Sequence, residues 1–351
     1  MDRPTLEARV RAGEALESLD LAGLDLAGVD LSGALMERVS LRGARLAGAR
    51  LRESVLTDCD LTGCDLRGAD LSHTVFDGGA LVDARCEGAS LLATKLTGVS
   101  LDRADLSRAS LTRTMLNEVS LRGARLAGAT LDRAVLSEPA TESLDLSGAL
   151  LRKAILYKAD LSTATFSGAR MDNAVLQECA LSGADLSGLD LTATLFSQCE
   201  LGDASFERAT LTRCNFTGST LQMANLKRAR AELALFVNAQ LRRATLRGAW
   251  LRRALFVDAD LRRANLSEAT LREAVLQRAS CAGARFDGAE MDFADLSYAD
   301  LTGARFTGAR MHRARLHMTT RADAEDISSD ALGDDEELAA AERAARGGTT
   351  R

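Results

Sequence analysis

The feature that most constrains this chain is a period of five. From Leu21 an apolar residue recurs at Leu26, Leu31, Met36, Leu41, Leu46 and Leu51, and the series runs to Leu316 without a change of register. Nearly every such centre is Leu, Phe or Met; Cys86, Thr141, Ala231 and Cys281 are the exceptions. A small residue, usually Ala, stands two places earlier, as at Ala44, Ala69, Ala104, Ala184, Ala264 and Ala304. Five matches neither the 3.6-residue period of a helix nor the alternation of a flat strand. An α-helix would scatter these leucines around its whole circumference. The period suits a coiled tube in which each five-residue unit makes one side and one corner. The centre and the small residue then point inward, because a narrow tube holds only one large side chain per side.

Runs such as Ala69-Asp70-Leu71-Ser72, Ala104-Asp105-Leu106-Ser107 and Ala264-Asn265-Leu266-Ser267 resemble the A(D/N)LXX signature of the pentapeptide repeat family. The resemblance covers about residues 19–318. It implies an all-β fold: a right-handed quadrilateral parallel β-helix, a solenoid of about 15 coils with four pentapeptides per coil, flanked by short terminal helices. Residues 1–18 are expected to form an N-terminal capping helix, with Thr5 as its N-cap and Leu6 and Val10 on one side. Residues 319–351 form an acidic tail, partly helical or disordered. A defect is expected at 137–143, where Pro139 takes an inward position and Thr141 a centre. Proline cannot donate a ladder hydrogen bond, so a local bulge or loop is predicted there. Ala231 is a second weak point, an undersized centre that Leu233 would partly fill.

A 20-residue coil can be checked within the sequence. The outward residue before each centre reads, at 20-residue steps, Asp25, Arg45, Asp65, Arg85, Asp105, Arg125, Asp145. Stacked neighbours under about 5 Å apart favour such alternation. On the next face but one, the same position reads Leu35, Val55, Val75, Lys95, Met115, Val135, Ile155, Val175, Leu195, Asn215, Leu235, Leu255, Val275. Eleven of these thirteen are large and apolar; on the other three faces only Leu150 and Trp250 are. Val237 and Val257, one residue after their centres, widen the stripe.

That stripe is the main functional clue. At about 50 Å² per side chain it would expose more than about 500 Å², near the upper end for the largest patch on a monomer. It is expected to be a lateral interface for a protein partner or for self-association, with a homodimer as one outcome. The competing structural readings are a self-shielding β-branched ladder of stacked aliphatic residues and a terminal segment folded over the stripe.

The net charge is −6, unevenly spread. Residues 1–100 carry −5, residues 101–220 carry −3, residues 221–280 carry +7 and residues 321–351 carry −5. The basic section supplies a candidate contact patch of Arg242, Arg243, Trp250, Arg252, Arg253, Arg262 and Arg263. Direct nucleic-acid binding is disfavoured, because Asp258, Asp260, Glu268 and Glu273 lie close by in the sequence. Some members of the family resemble B-form DNA and bind DNA gyrase. A DNA-mimic regulator of gyrase or topoisomerase, inhibiting it or protecting it from drugs, is therefore the alternative function. A mimic needs sustained negative potential, and much of this chain is neutral or basic. The opening Leu16–Leu26 also resembles pentapeptide segments of proteins accompanying bacterial contractile secretion systems, a weaker alternative.

No catalytic constellation is expected, and no cofactor or metal. His73, His312 and His317 read as solvated surface imidazoles. Cys59, Cys64, Cys179, Cys199 and Cys214 take the small inward position, and Cys86 and Cys281 are centres, as buried thiols do. Seven cysteines, an odd number, suit a reducing compartment better than a disulfide framework. No apolar run approaches the ~20 residues of a membrane span. The N-terminus MDRPTLEARV lacks the apolar stretch of a secretory signal. The expectation is a cytoplasmic, non-enzymatic scaffolding or protein-binding module.

Overall fold

The computed structural model describes residues 2–347. Its chain divides into two compact units, Met1–Glu200 and Leu201–Arg351. In both, the five-residue period is the building rule. The centres are buried, as at Leu21, Leu26, Leu31 and Leu41, and so are the small residues two places before them, as at Ala44 and Ala49. The second residue after nearly every centre turns the corner with positive φ; Thr163 is an exception. Gly23 (φ 68) and Gly28 (φ 64) do so at little cost, but Arg103 (φ 58) and Arg113 (φ 58) adopt the same conformation. The outward residue before the centre secures that corner. Asp70 Oδ1 accepts from the Ser72 N–H at 3.0 Å, and Asn265 Oδ1 accepts from Ser267 N–H at 3.1 Å. This Asx turn explains the Asp or Asn of the repeat.

The first unit opens with α1 (Arg3–Arg11). Its N-cap is Asp2, whose carboxylate accepts from the Thr5 N–H, so the expected cap at Thr5 is corrected by three residues. Asp2 sits before Pro4, which is tolerated in the first turn. Leu6 and Val10 are buried, as expected. Arg3 donates to the carbonyls of Ala27 and Gly28 at 2.9 and 2.8 Å, and Glu7 accepts from the Asp30 N–H at 3.2 Å, so α1 is clamped to the first coil. The capping helix is shorter than 1–18, because β1 (Leu16–Glu17) already pairs with β2 (Leu35–Glu37).

A strand then recurs every 20 residues up to β10 (Leu195–Ser197), giving a ten-stranded parallel sheet in sequence order. Leu35 pairs with Val55, Val55 with Val75, and Val175 with Leu195, which establishes the 20-residue turn. The other three sides contribute single-residue parallel bridges, as in Asp20↔Ser40, Asp25↔Arg45 and Asp30↔Arg50. Hydroxyls fill part of the interior on the strand side. Ser54, Thr74, Thr94, Thr114 and Thr194 are buried, and each donates to a centre carbonyl of the preceding coil at 2.6–2.8 Å.

Register is kept through 137–143, but the ladder opens on one side there. Glu138 N–H donates to Tyr157 O and Ala140 N–H to Val119 O, whereas the parallel bridges that join Ser120 to Ala140 and Asp160 to Ala180 are interrupted between Ala140 and Asp160. Side chains substitute: Thr141, a buried centre, donates its hydroxyl to Asp160 O, and the Ser143 N–H donates to the Thr163 hydroxyl. The predicted defect is therefore a local gap in the ladder and not a loop, and Pro139 itself is accommodated locally. On the other sides the inward small residue closes the corner with its N–H, as in Ala129 to Leu126 O and Ala134 to Leu131 O. On the side that follows the strands, among the described residues, Val39, Val99 and Val119 make no such bond. Pro139 occupies that same site, where no donor is used.

The second unit is laddered by single bridges, as along Ser205↔Asn225, Asn225↔Thr245, Thr245↔Asn265, Asn265↔Arg285, Arg285↔Arg305 and Arg305↔Glu325. Its corners close alike, for example Ala239 N–H to Phe236 O and Ala259 N–H to Phe256 O. Phenylalanine centres stack directly: Phe216 on Phe236 at 5.0 Å, Phe236 on Phe256 at 4.7 Å, and Phe286 on Phe306 at 5.0 Å. Leu233 does not fill the space beside Ala231; it is an exposed corner residue with φ 59. The coil also outlasts residue 318. Thr320 pairs with Asp300, Glu325 with Arg305, and Leu332 with Arg315. The tail is tied down: Leu316 N–H donates to Leu332 O, and Asp335 N–H donates to His317 Nδ1 at 3.1 Å. His317 is therefore only 3% exposed, which corrects its reading as a solvated imidazole. α2 (Glu336–Gly347) follows with Glu336 and Glu337 in its first turn. No helix among the described residues is long and apolar enough to cross a membrane.

Candidate functional site

The outward ladder on the strand side is set by register. Each of its residues precedes a buried centre, so the pleat turns it to solvent. In the first unit Leu35, Met115, Ile155 and Leu195 are 49%, 50%, 41% and 38% exposed. Val55, Val75, Val135 and Val175, lying between them, are half-buried. The stack therefore mixes protruding longer side chains with valines that are less exposed. Lys95 breaks it between Val75 and Met115. The flanking column, one residue beyond the centres, is polar: Thr57, Asp77, Thr97, Asn117 and Ser137. In the second unit Leu235, Leu255 and Val275 are bridge partners in one ladder and are half-buried, as are Val237 and Val257. There the protruding apolar residues are at the corners instead. Leu233 and Phe293 are exposed, two residues before Leu235 and Asp295 of the ladder. The sequence reading missed both as surface residues; reading the corner column at 20-residue steps would have found them.

The candidate basic patch is divided. Arg242, Arg243, Arg262 and Arg263 follow the centres Leu241 and Leu261, whereas Trp250, Arg252 and Arg253 flank the centre Leu251. These centres lie two sides apart on a four-sided coil. Three of its six arginines are also paired locally, with two carboxylates. Arg252 and Arg253 both reach Glu273, at 2.8 and 2.6 Å, and Arg262 reaches Asp260 at 2.5 Å. Trp250 is 49% exposed and is covered on one face by Arg230, with 4.9 Å from guanidinium to ring centre.

The alternating Asp–Arg column is realised in part. Arg45 meets Asp25 at 2.9 Å and Arg125 meets Asp105 at 3.7 Å, but Asp65 is claimed by Arg67 at 2.6 Å. Asp30 is held down to about 2 by hydrogen bonds from Ser32 and by Arg50. All seven cysteines are free and buried. Burial pushes the Cys64 and Cys86 thiols up to about 12. Among the described residues no group of three or more His, Cys, Asp or Glu side chains is placed to hold a metal ion.

Coils of four five-residue sides, hydrogen-bonded to their neighbours in parallel, define the class as a β-solenoid protein. The match to the Pentapeptide repeats family model covers residues 20–58, 54–85, 80–123, 143–168, 159–198, 194–230, 221–256, 239–278, 254–292 and 289–320, and the chain belongs to this family. The stretch left out, 124–142, holds Pro139 and the gap in the ladder between Ala140 and Asp160, although the register is kept through it.

Among solved structures the chain is similar to HetL, a pentapeptide repeat protein involved in heterocyst differentiation regulation in the cyanobacterium Nostoc sp. strain PCC 7120. The two share 28% identity over 75% of this chain and 96% of that one, with a TM-score of 0.22. It is also similar to QnrB1, a plasmid-mediated fluoroquinolone resistance protein, at 18% identity over 66% of this chain and 98% of that one, with a TM-score of 0.27. A pentapeptide repeat protein of the Arabidopsis thaliana thylakoid lumen matches at 24% identity over 37% of this chain and 70% of that one, with a TM-score of 0.19. No curated protein matches the chain.

Proposed function

We propose that this chain is a non-catalytic solenoid that binds a protein through the outward apolar ladder of its strand side. One observation carries the reading: Leu35, Met115, Ile155 and Leu195 each leave more than a third of their surface in water on a rigid, regularly spaced frame. Burying such residues against a partner contributes roughly 25 cal/mol per Å² of apolar area. Self-association through this ladder is the first form to test. Seven free buried thiols fit a reducing compartment such as the cytoplasm.

The DNA-mimic reading has less support. Many carboxylates are engaged in corner hydrogen bonds and ion pairs, such as Asp30 with Arg50 at 2.9 Å and Asp83 with Arg103 at 2.7 Å, which weakens a sustained negative face.

The test is solution mass by light scattering for the parent and for the Met115→Asp, Ile155→Asp, Leu195→Asp variant, with circular dichroism as a folding control. A dimer that becomes monomeric while still folded supports self-association through the ladder. A dimer that persists unchanged overturns it.

A further inference from the structure

Stacked corner charges in this protein obey a simple rule at several places. Residues 20 apart sit on adjacent coils, and where both are charged they are commonly of opposite sign and paired: Asp83 with Arg103 at 2.7 Å, Glu138 with Lys158 at 3.3 Å, Asp258 with Arg278 at 2.7 Å and Arg253 with Glu273 at 2.6 Å. One column in the first unit breaks the rule over three successive coils. Arg113, Arg133 and Lys153 are corner residues with φ of 58, 57 and 55, so their side chains leave the coil from equivalent points one strand spacing apart. None of the three forms an ion pair among the described residues, and all three are exposed. Like charges stacked in this way repel one another.

The same three cations line a surface cleft of about 250 Å³, together with Leu92, Asp132 and Arg152. Arg152 is partnered only at 3.7 Å, by Asp172. Asp132 Oδ1 is buried and has no hydrogen-bond partner. The cleft therefore combines a line of unneutralised donors with one orphaned acceptor beside them. A guanidinium presents a planar fork of N–H groups suited to phosphate oxygens, and an ammonium adds a compact point charge. A row of such groups calls for a row of anionic oxygens. The orphaned carboxylate oxygen calls for a donor carried by the same ligand, and a hydroxyl supplies one.

We propose that this cleft binds a ligand with a linear chain of phosphoryl groups and a neighbouring hydroxyl. The phosphoryl oxygens lie along Arg113, Arg133 and Lys153, and the hydroxyl donates to Asp132. No covalent step is implied. The site is distinct from the apolar ladder, although Arg113, Arg133 and Lys153 each lie two residues before one of its members, Met115, Val135 and Ile155.

The experiment is isothermal titration of the full chain at low ionic strength with two probes, inorganic triphosphate and ATP. Both are expected to bind, with ATP tighter, and both are expected to weaken as salt is raised, because the cations are exposed. The Arg113→Gln, Arg133→Gln double variant should bind either probe at least about tenfold more weakly. Its melting temperature without ligand should be unchanged or higher, because a repulsion has been removed. Asp132→Ala should remove the advantage of ATP over inorganic triphosphate. Failure of both probes to bind, or unchanged binding by the double variant, overturns the proposal. Binding of duplex DNA without binding of either probe also overturns it.

Discussion

The Thr114 hydroxyl donates to the carbonyl of Leu91 at 2.6 Å, from a fully buried position one coil further along. Thr74 and Thr94 repeat the contact on the preceding coils. The interior of the strand side is thus small and hydrogen-bonded, not simply apolar. Thr114→Val keeps the shape and removes one bond, while Leu91 O retains the Thr94 N–H at 3.1 Å. The expected cost is about 1 kcal/mol. Thr114→Leu adds bulk to a filled interior and should cost more, about 1–3 kcal/mol from overpacking. Urea denaturation midpoints of the two variants check the order.

The site of Pro139 makes a position-specific prediction. Val119 stands one coil before Pro139, and both follow a corner residue in the left-handed region, Glu118 (φ 52) and Glu138 (φ 50). Val119→Pro removes no hydrogen bond that the coil uses and should be tolerated, with a change below about 1 kcal/mol. Ala129→Pro deletes the N–H that closes a corner on Leu126 O at 2.9 Å and should cost about 3 kcal/mol or more. Comparable melting temperatures for the two variants would mean that an unused donor is not what lets the coil keep its register at Pro139.

Acid sensitivity should involve Asp30, which caps its own corner and faces Arg50 at 2.9 Å. Its carboxyl is held down to about 2, below the unfolded value. A depressed carboxylate contributes stability that is present above the unfolded pKa and lost as pH falls through the folded one. The loss from this residue should fall between about pH 4 and pH 2. Asp30→Asn keeps an oxygen acceptor for Ser32 but no titrating charge. Melting temperatures measured down to pH 2 should show a smaller acid-induced drop for the variant than for the parent.

The thiols should be chemically silent while the coils are intact. All seven are buried, and Cys64 and Cys86 are pushed up to about 12 by desolvation. At pH 8 a thiol titrating near 12 has about three orders of magnitude less thiolate than a free one. An aromatic disulfide reagent should label all seven in denaturant and none in the folded protein. Rapid labelling of the native state would contradict the packing described for the centres.

The candidate interface was legible in the sequence as a column, but its exposure was not. Val175 and Leu195 occupy equivalent positions by period, yet Val175 is half-buried and Leu195 protrudes. Shielding depends on the size and branching of both stacked neighbours. The seven-residue basic patch was misleading for a related reason. Linear proximity places Arg243 and Trp250 together, whereas two corners intervene between their sides. The Arg113–Arg133–Lys153 column went unread because residues 101–220 are net acidic, and a segment total hides a local column.

By itself the sequence determined the coil. One inward apolar residue every five positions, with a small residue two before it, leaves a four-sided tube as the arrangement that buries them all, and the 20-residue columns set the register. The closed interior imposes this at every side, so even Thr141 and Ala231 are carried along as buried centres. Tertiary structure decided what lies outside that constraint. It decided which corners use their N–H, which charges find a partner on the next coil, how far the coil runs past residue 318, and that the tail returns to pair Leu332 with Arg315. Those outcomes depend on side-chain reach and on the competition of each polar group among neighbours in three dimensions, and a linear period of five carries no information about either.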